Sequence, residues 1–148
     1  MEKLPVLSRS PLFDMLSDQE LDCVADLAQP RRFTVGQTVF EEGELGDSVY
    51  VITSGEVEIL HRDSAGRQRT LTVLSSPEFF GEMSLIDKEY RSATVRAKTD
   101  ADLLHLSAEN LTTFREQHRD GFTFLVINIA RVLAARLREA NTRLVDAG

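Results

Sequence analysis

Between positions 33 and 106 the sequence runs in short segments rich in valine, threonine, isoleucine and phenylalanine, broken again and again by glycine. Branched and aromatic side chains suit the pleated surface of a strand. Glycine reaches positive φ without steric cost and so suits the turns between strands. Strands are expected at 38–40, 48–54, 57–61, 68–74, 93–97 and 101–106. Gly36, Gly43, Gly46, Gly55 and Gly66 fall in the breaks, and Asp63-Ser64-Ala65-Gly66 reads as a hairpin turn. Many short strands at this spacing restrict the middle of the chain to a sandwich, a barrel or a jelly roll.

Helical signals flank this block. Ser17-Asp18-Gln19-Glu20 is a capping box, in which Ser17 accepts from the backbone N–H three residues on and Glu20 reaches back. Leu21, Val24 and Leu27 follow at helical spacing, and Gln29-Pro30 is expected to end that helix. After the block, Ser107 is expected to cap a short helix reaching about residue 117, and Asp120 a longer one over 122–144. In that last segment Phe122, Val126, Ile129, Leu133, Leu137, Ala140 and Leu144 recur at spacings of three and four, so one face is expected to be buried.

The stretch from Phe80 to Val95, FGEMSLIDKEYRSATV, carries the chemistry. A glycine ends a strand and a short helical turn is expected over 83–86. Helix N-termini present unpaired N–H groups and partial positive charge, which favour anions. Glu82 stands at the mouth of this turn and Arg91 follows as the chain returns to a strand. A carboxylate accepts hydrogen bonds from hydroxyls, and a guanidinium donates a planar fork to phosphate oxygens. The pair suits a small ligand that carries both a sugar hydroxyl and a phosphate.

This stretch resembles the phosphate-binding cassette of the cyclic nucleotide-binding domain family, which includes the catabolite activator protein and the regulatory subunits of cAMP-dependent kinase. The likeness extends upstream through Phe33-x-x-Gly36, Phe40-x-x-Gly43, Gly46-Asp47 and Val51-Ile52-x-x-Gly55. One departure is Tyr90, where some relatives carry proline before the arginine. The resemblance implies a mainly β fold: a jelly-roll (double-stranded β-helix) barrel with an N-terminal helix before it and two C-terminal helices after it. It implies one domain, with a helical segment at 1–32, the barrel at 33–106 with the cassette at 80–95, and the C-terminal helices at 107–148. It also implies roles. Glu82 would accept from the ribose 2′-hydroxyl and Arg91 would pair with the cyclic phosphate. The backbone N–H groups of Met83 and Ser84, after Gly81, would point at the same phosphate, and the Ser92 hydroxyl would add a bond. Ile59 and Leu71 would line the base pocket, with Thr72 close by. Ser92, in place of threonine, leans the ligand to cAMP over cGMP.

In such domains the final helix, here about 121–144, acts as a lid, a dimer seam or both. By position Arg136 would stack on the base as a cation over a π-face. A homodimer through this helix is one reading, and packing on its own barrel is the other. Because the chain ends about where transcription-factor relatives begin a helix-turn-helix, no direct DNA binding is expected, and the effector is left open.

Composition excludes several other classes. The net charge of −7 argues against the chain as a whole lying on a nucleic acid backbone. The segment from Gly121 to Leu144 is the exception, with Arg131, Arg136, Arg138 and Arg143 against Glu139, and it reads as a solvated helix face. No apolar run approaches the roughly 18 residues of a membrane span, and no signal peptide is visible at the start. With one cysteine, Cys23, no internal disulfide can form, which fits the cytoplasm. A metal-dependent barrel enzyme would need clustered ligands, whereas His61, His105 and His118 are scattered. No catalytic group, metal or cofactor is therefore expected. Two alternatives to a cyclic mononucleotide sensor are a degenerate domain that serves protein interaction or dimerisation without a ligand, and a sensor of a cyclic dinucleotide or another anion.

Overall fold

The structure is a computed structural model that describes residues 3–83 and 90–147. Among them, eight strands form two antiparallel four-stranded sheets, one ordered β1-β8-β3-β6 and the other β2-β7-β4-β5. The strands are β1 (Gln29–Phe33), β2 (Thr38–Phe40), β3 (Ser48–Ser54), β4 (Glu56–Arg62), β5 (Gln68–Ser75), β6 (Phe79–Phe80), β7 (Thr94–Ala97) and β8 (Ala101–Ser107). Helix α1 (Leu4–Arg9), a short 3-10 turn (Pro11–Phe13) and α2 (Asp18–Leu27) precede them, and α3 (Ala108–Gln117) and α4 (Arg119–Ala147) follow. This is the expected mainly β jelly roll with flanking helices. No helix among the described residues is long and apolar enough to cross a membrane.

Local chemistry explains the element ends. Ser17 and Glu20 form the capping box of α2, and Ser107 forms a second one with Asn110 at α3. Strand β1 lies ahead of the expected β block. Its residues are mostly exposed and include Pro30, so they lack an alternating pattern. It is an edge strand that pairs only with β8, a place where proline is tolerated. Asp120 is not the cap of α4. His118 closes α3, its carbonyl accepts from the Phe122 N–H, and α4 begins at Arg119 with Asp120 in its first turn. A carboxylate there still complements the helix dipole.

Side chains of β3 alternate between two cores. Val49 and Val51 face the helices with Leu104, Leu106, Phe114, Leu125 and Ile129, while Ile52 faces the space between the sheets with Val57, Val95 and Leu103. The stripe expected on α4 is rotated by about one residue: Leu125 and Ile129 are fully buried, whereas Val126, Leu137 and Leu144 are exposed. Helical residues cover the turn N-terminal to their own Cα, so spacing alone does not fix which side of a stripe is covered. Asn128, buried on the same face, donates to the carbonyls of Leu12 and Asp14 and ties α4 to the N-terminal turn.

His105, in β8, packs edge-on against Tyr50 with ring centroids 5.1 Å apart. Its Nδ1 is buried and has no hydrogen-bond partner among the described residues. Burial pushes its pKa below the ordinary value, Arg31 adds to this, and Asp47 opposes it. The fold thus favours the neutral ring over the imidazolium. The stability this gives is present above the unfolded value of about 6.5 and is lost as pH falls through the lower folded value. We expect His105→Gln to flatten the fall in melting temperature between about pH 7 and pH 5. An unchanged slope would assign the acid sensitivity elsewhere.

Candidate ligand-binding site

A cavity of about 340 Å³ opens beside the second sheet, at the small end of the range for small-molecule pockets. Gly81, Glu82, Met83, Arg91, Ser92, Ile59, Leu71, Thr72 and Arg136 all line it. Ser84, and with it most of the helical turn expected over 83–86, lies outside the described residues. The expected site residues come from five places in the fold. Ile59 is on β4, Leu71 and Thr72 are on β5, the Gly81–Met83 segment follows β6, and Arg91 and Ser92 precede β7. Arg136 reaches in from α4.

Arg91 is 8% exposed. Its Nη1 donates to the Gly81 carbonyl at 3.0 Å, and its Nη2 donates to the Ser48 carbonyl at 3.0 Å and to Ser48 Oγ at 3.1 Å. The guanidinium lies over the Phe40 ring, 3.9 Å from its centroid. Burial pushes the Arg91 pKa down from its ordinary value, and Tyr50, Asp47, Glu44 and Glu82 pull it back up. The group stays a cation at neutral pH.

Gly81 permits this arrangement. Its φ is +83°, a conformation that side-chain-bearing residues rarely adopt, and a Cβ there would stand 2.8 Å from Arg91 Nη1. The residue type expected from the turn is therefore also required by the close approach of the arginine.

Glu82 is 4% exposed. Its Oε1 accepts from Arg136 Nη1 at 3.1 Å, and Arg136 Nη2 donates to the Phe79 carbonyl at 3.3 Å. The Arg136 guanidinium also stands 5.7 Å from the Phe79 ring centroid. Arg136 thus sits on Glu82 and Phe79. Glu82 and Arg91 form no ion pair with each other among the described residues, and each is held by other groups.

The remaining expected residues lie toward solvent. Leu71 is 57% exposed on the edge strand β5, and Thr72 and Ser92 are also exposed. Ile59 is half-buried against the inter-sheet core. Sequence reasoning missed Phe40, Phe80 and Leu133, which also line the cavity. Leu133 had a usable signal, since it stands three residues before Arg136 and so shares its helix face. Phe40 and Phe80 read as core, and no spacing in the sequence distinguishes a core phenylalanine from one that faces a cavity. No group of three or more potential metal ligands occurs among the described residues.

Comparison with known proteins adds four findings. Residues 30–118 match the family model described as cyclic nucleotide-binding domain. The cyclic AMP receptor protein of Thermus thermophilus is 37% identical over 135 residues, covering 91% of this chain and 61% of that protein. A CRP-like cAMP-activated global transcriptional regulator of Mycobacterium tuberculosis is 31% identical over 141 residues, covering 95% of this chain and 61% of that protein. A solved cyclic nucleotide-binding domain from Methylobacillus flagellatus superposes with a TM-score of 0.86 at 25% identity, covering 98% of this chain and 82% of that one. The chain spans about three fifths of the length of the two curated relatives. The expectation of no direct DNA binding is corrected here: it rested on where the sequence ends, and the matched relatives include a regulator of transcription of which this chain spans only part.

Proposed function

Since the chain belongs to the cyclic nucleotide-binding domain family, we propose that its cavity takes a cyclic mononucleotide, cAMP in preference to cGMP, and that the domain regulates without catalysing a reaction. The observation that carries this reading is the separation of two buried charges. Glu82 and Arg91 both face one cavity, yet each is held by its own partners, so neither neutralises the other. A ligand with an anionic phosphate and a neighbouring hydroxyl meets both. A buried cation that only stabilised the fold would be expected to sit on a carboxylate, because desolvating it alone is costly.

On this reading Arg91 pairs with the phosphate, together with the backbone N–H groups at Met83 and Ser84, and the Ser92 hydroxyl adds to that end. Glu82 accepts from the ribose 2′-hydroxyl. Ile59 and Leu71 cover the base, with Thr72 at its edge. Ser92 is the residue that favours cAMP. Arg136 links the site to α4: a ribose hydroxyl on Glu82 changes the environment of the carboxylate that Arg136 holds, and α4 relays that change. A cytoplasmic setting belongs to the same reading, because the single cysteine, Cys23, can form no internal disulfide.

Isothermal titration of nucleotide-free protein with cAMP and then cGMP tests the proposal. Micromolar or tighter binding of cAMP, with weaker binding of cGMP, is expected. Absence of heat with both ligands would leave a degenerate interaction domain. A second titration tests the ribose assignment. Glu82→Ala should weaken cAMP binding about 10- to 100-fold, the range for a hydrogen bond to a charged group. It should barely affect the 2′-deoxy analogue. Equal losses for both ligands would remove Glu82 from the ribose.

A further inference from the structure

We propose that Phe40 is a positioning residue for Arg91, whose ring face holds the guanidinium at the phosphate end of the cavity and keeps it from closing onto Glu82. The inference rests on the cyclic nucleotide reading for its consequence but not for its geometry.

The guanidinium of Arg91 has an edge and a face, and different groups hold them. The carbonyls of Gly81 and Ser48 take N–H groups along its edge. Its central carbon stands over the Phe40 ring, 3.9 Å from the centroid, well inside the range of a cation–π contact. Phe40 ends β2 and is 9% exposed, so this contact is largely screened from water, where such contacts are strongest. The ring is itself fixed. Phe80 packs against it at 5.8 Å with a 50° tilt, and Tyr50 lies at 6.1 Å. Phe80 and Tyr50 stack on each other at 5.2 Å, nearly parallel.

Electrostatics supplies the reason for such a floor. Glu44, Asp47 and Glu82 all lie within electrostatic reach of Arg91. Glu82 is the residue next to Gly81, to which Arg91 is already bonded. An arginine that swung onto Glu82 would remove both ligand-reading charges at once. An aliphatic side chain at position 40 would fill the same space in the core but would offer the cation no negative face. Among the described residues no carboxylate is ion-paired to this cation, and the aromatic ring helps to hold it, so the phosphate meets an ordered partner.

The test keeps the shape of the ring and weakens its face. Phe40 is replaced by mono-, di- and trifluorinated phenylalanine, and cAMP affinity and melting temperature are measured for each. Affinity should fall stepwise, reaching about tenfold for the trifluorinated ring, with the melting temperature little changed. A flat or rising affinity across the series would overturn the proposal. A second measurement needs no ligand. In nitrogen-labelled protein the Arg91 Nε–H resonance, identified by its loss in Arg91→Lys, should be shifted upfield by the ring and should lose that shift in Phe40→Leu. An unshifted resonance in the unmodified protein would also overturn it. If the unmodified protein binds no cyclic nucleotide, the functional reading falls, and the Arg91 resonance alone decides the positioning role.

Discussion

Arg91→Ala should weaken cAMP binding by roughly 2–5 kcal/mol, the cost typical of removing one partner from a buried charged contact. That is about 30-fold to several thousand-fold in Kd. The size follows from the setting of the side chain. It is 8% exposed, donates three hydrogen bonds among the described residues and has its central carbon over the Phe40 ring, so it is held in place before a ligand arrives. A preordered cation loses little entropy on binding, and most of its attraction for a phosphate is available to hold the ligand. Arg91→Lys should fall between the two, because it keeps the charge and loses the fork. Titration calorimetry on all three proteins, with melting curves to confirm folding, measures the series. A loss below tenfold in the alanine variant would remove Arg91 from the phosphate.

Gly55→Ala should destabilise the fold by at least about 3 kcal/mol, a shift on the order of 10 °C in melting temperature for a chain of this size. Gly55 joins β3 to β4 with φ at +80°. A Cβ there would run into the Asp100 carbonyl oxygen and stand 2.8 Å from the Ala101 Cα. These are backbone atoms at the start of β8, and they cannot rotate out of the way. Ala101 and Leu103 are both fully buried in the inter-sheet core, so moving β8 opens that core. Gly66 provides the control. It has the same φ of +80° in the β4–β5 hairpin, yet nothing lies within 4 Å of a Cβ built on it. Gly66→Ala should therefore cost only the conformational strain, about 1–2 kcal/mol. Denaturant unfolding of both variants separates the two terms, and equal losses would show that the clash at Asp100 is relieved.

What the sequence made legible was whatever depends on residue type at fixed spacing. The capping box at Ser17, the cap at Ser107, the central strands and the glycine turns rest on local chemistry, and a single chain carries that information. Strand β1 did not show, because an exposed edge strand needs neither apolar alternation nor the absence of proline. The rotation of the α4 stripe did not show either, since two candidate faces overlap when apolar residues occur at 125, 126, 129 and 133. At the site, the residues that gather around the cavity were legible because they recur in a family pattern. Their partners were not. Nothing in the spacing of Glu82 and Arg91 reveals that Arg136 holds the first, or that Ser48 and Phe40 hold the second. These are contacts across 54, 43 and 51 positions of sequence, the first created by docking of α4 and the other two by closure of the barrel.

The length of α4 gives the Glu82–Arg136 contact a mechanical meaning. At about 1.5 Å per residue, a helix of 29 residues measures roughly 44 Å. Its buried anchors, Leu125 and Ile129, lie in its first half, and residues 137–145 are exposed. Arg136 stands between them like the hand on a lever, just beyond the fulcrum. Residue 145 is about 24 Å past Ile129 along the axis. A tilt of about 5° around the anchors, which moves Arg136 by only about 1 Å, carries that far end through about 2 Å. On the proposed reading, this geometry would give the helix mechanical gain: a rearrangement at Arg136 too small to disturb the barrel's packing would arrive about doubled at the far end.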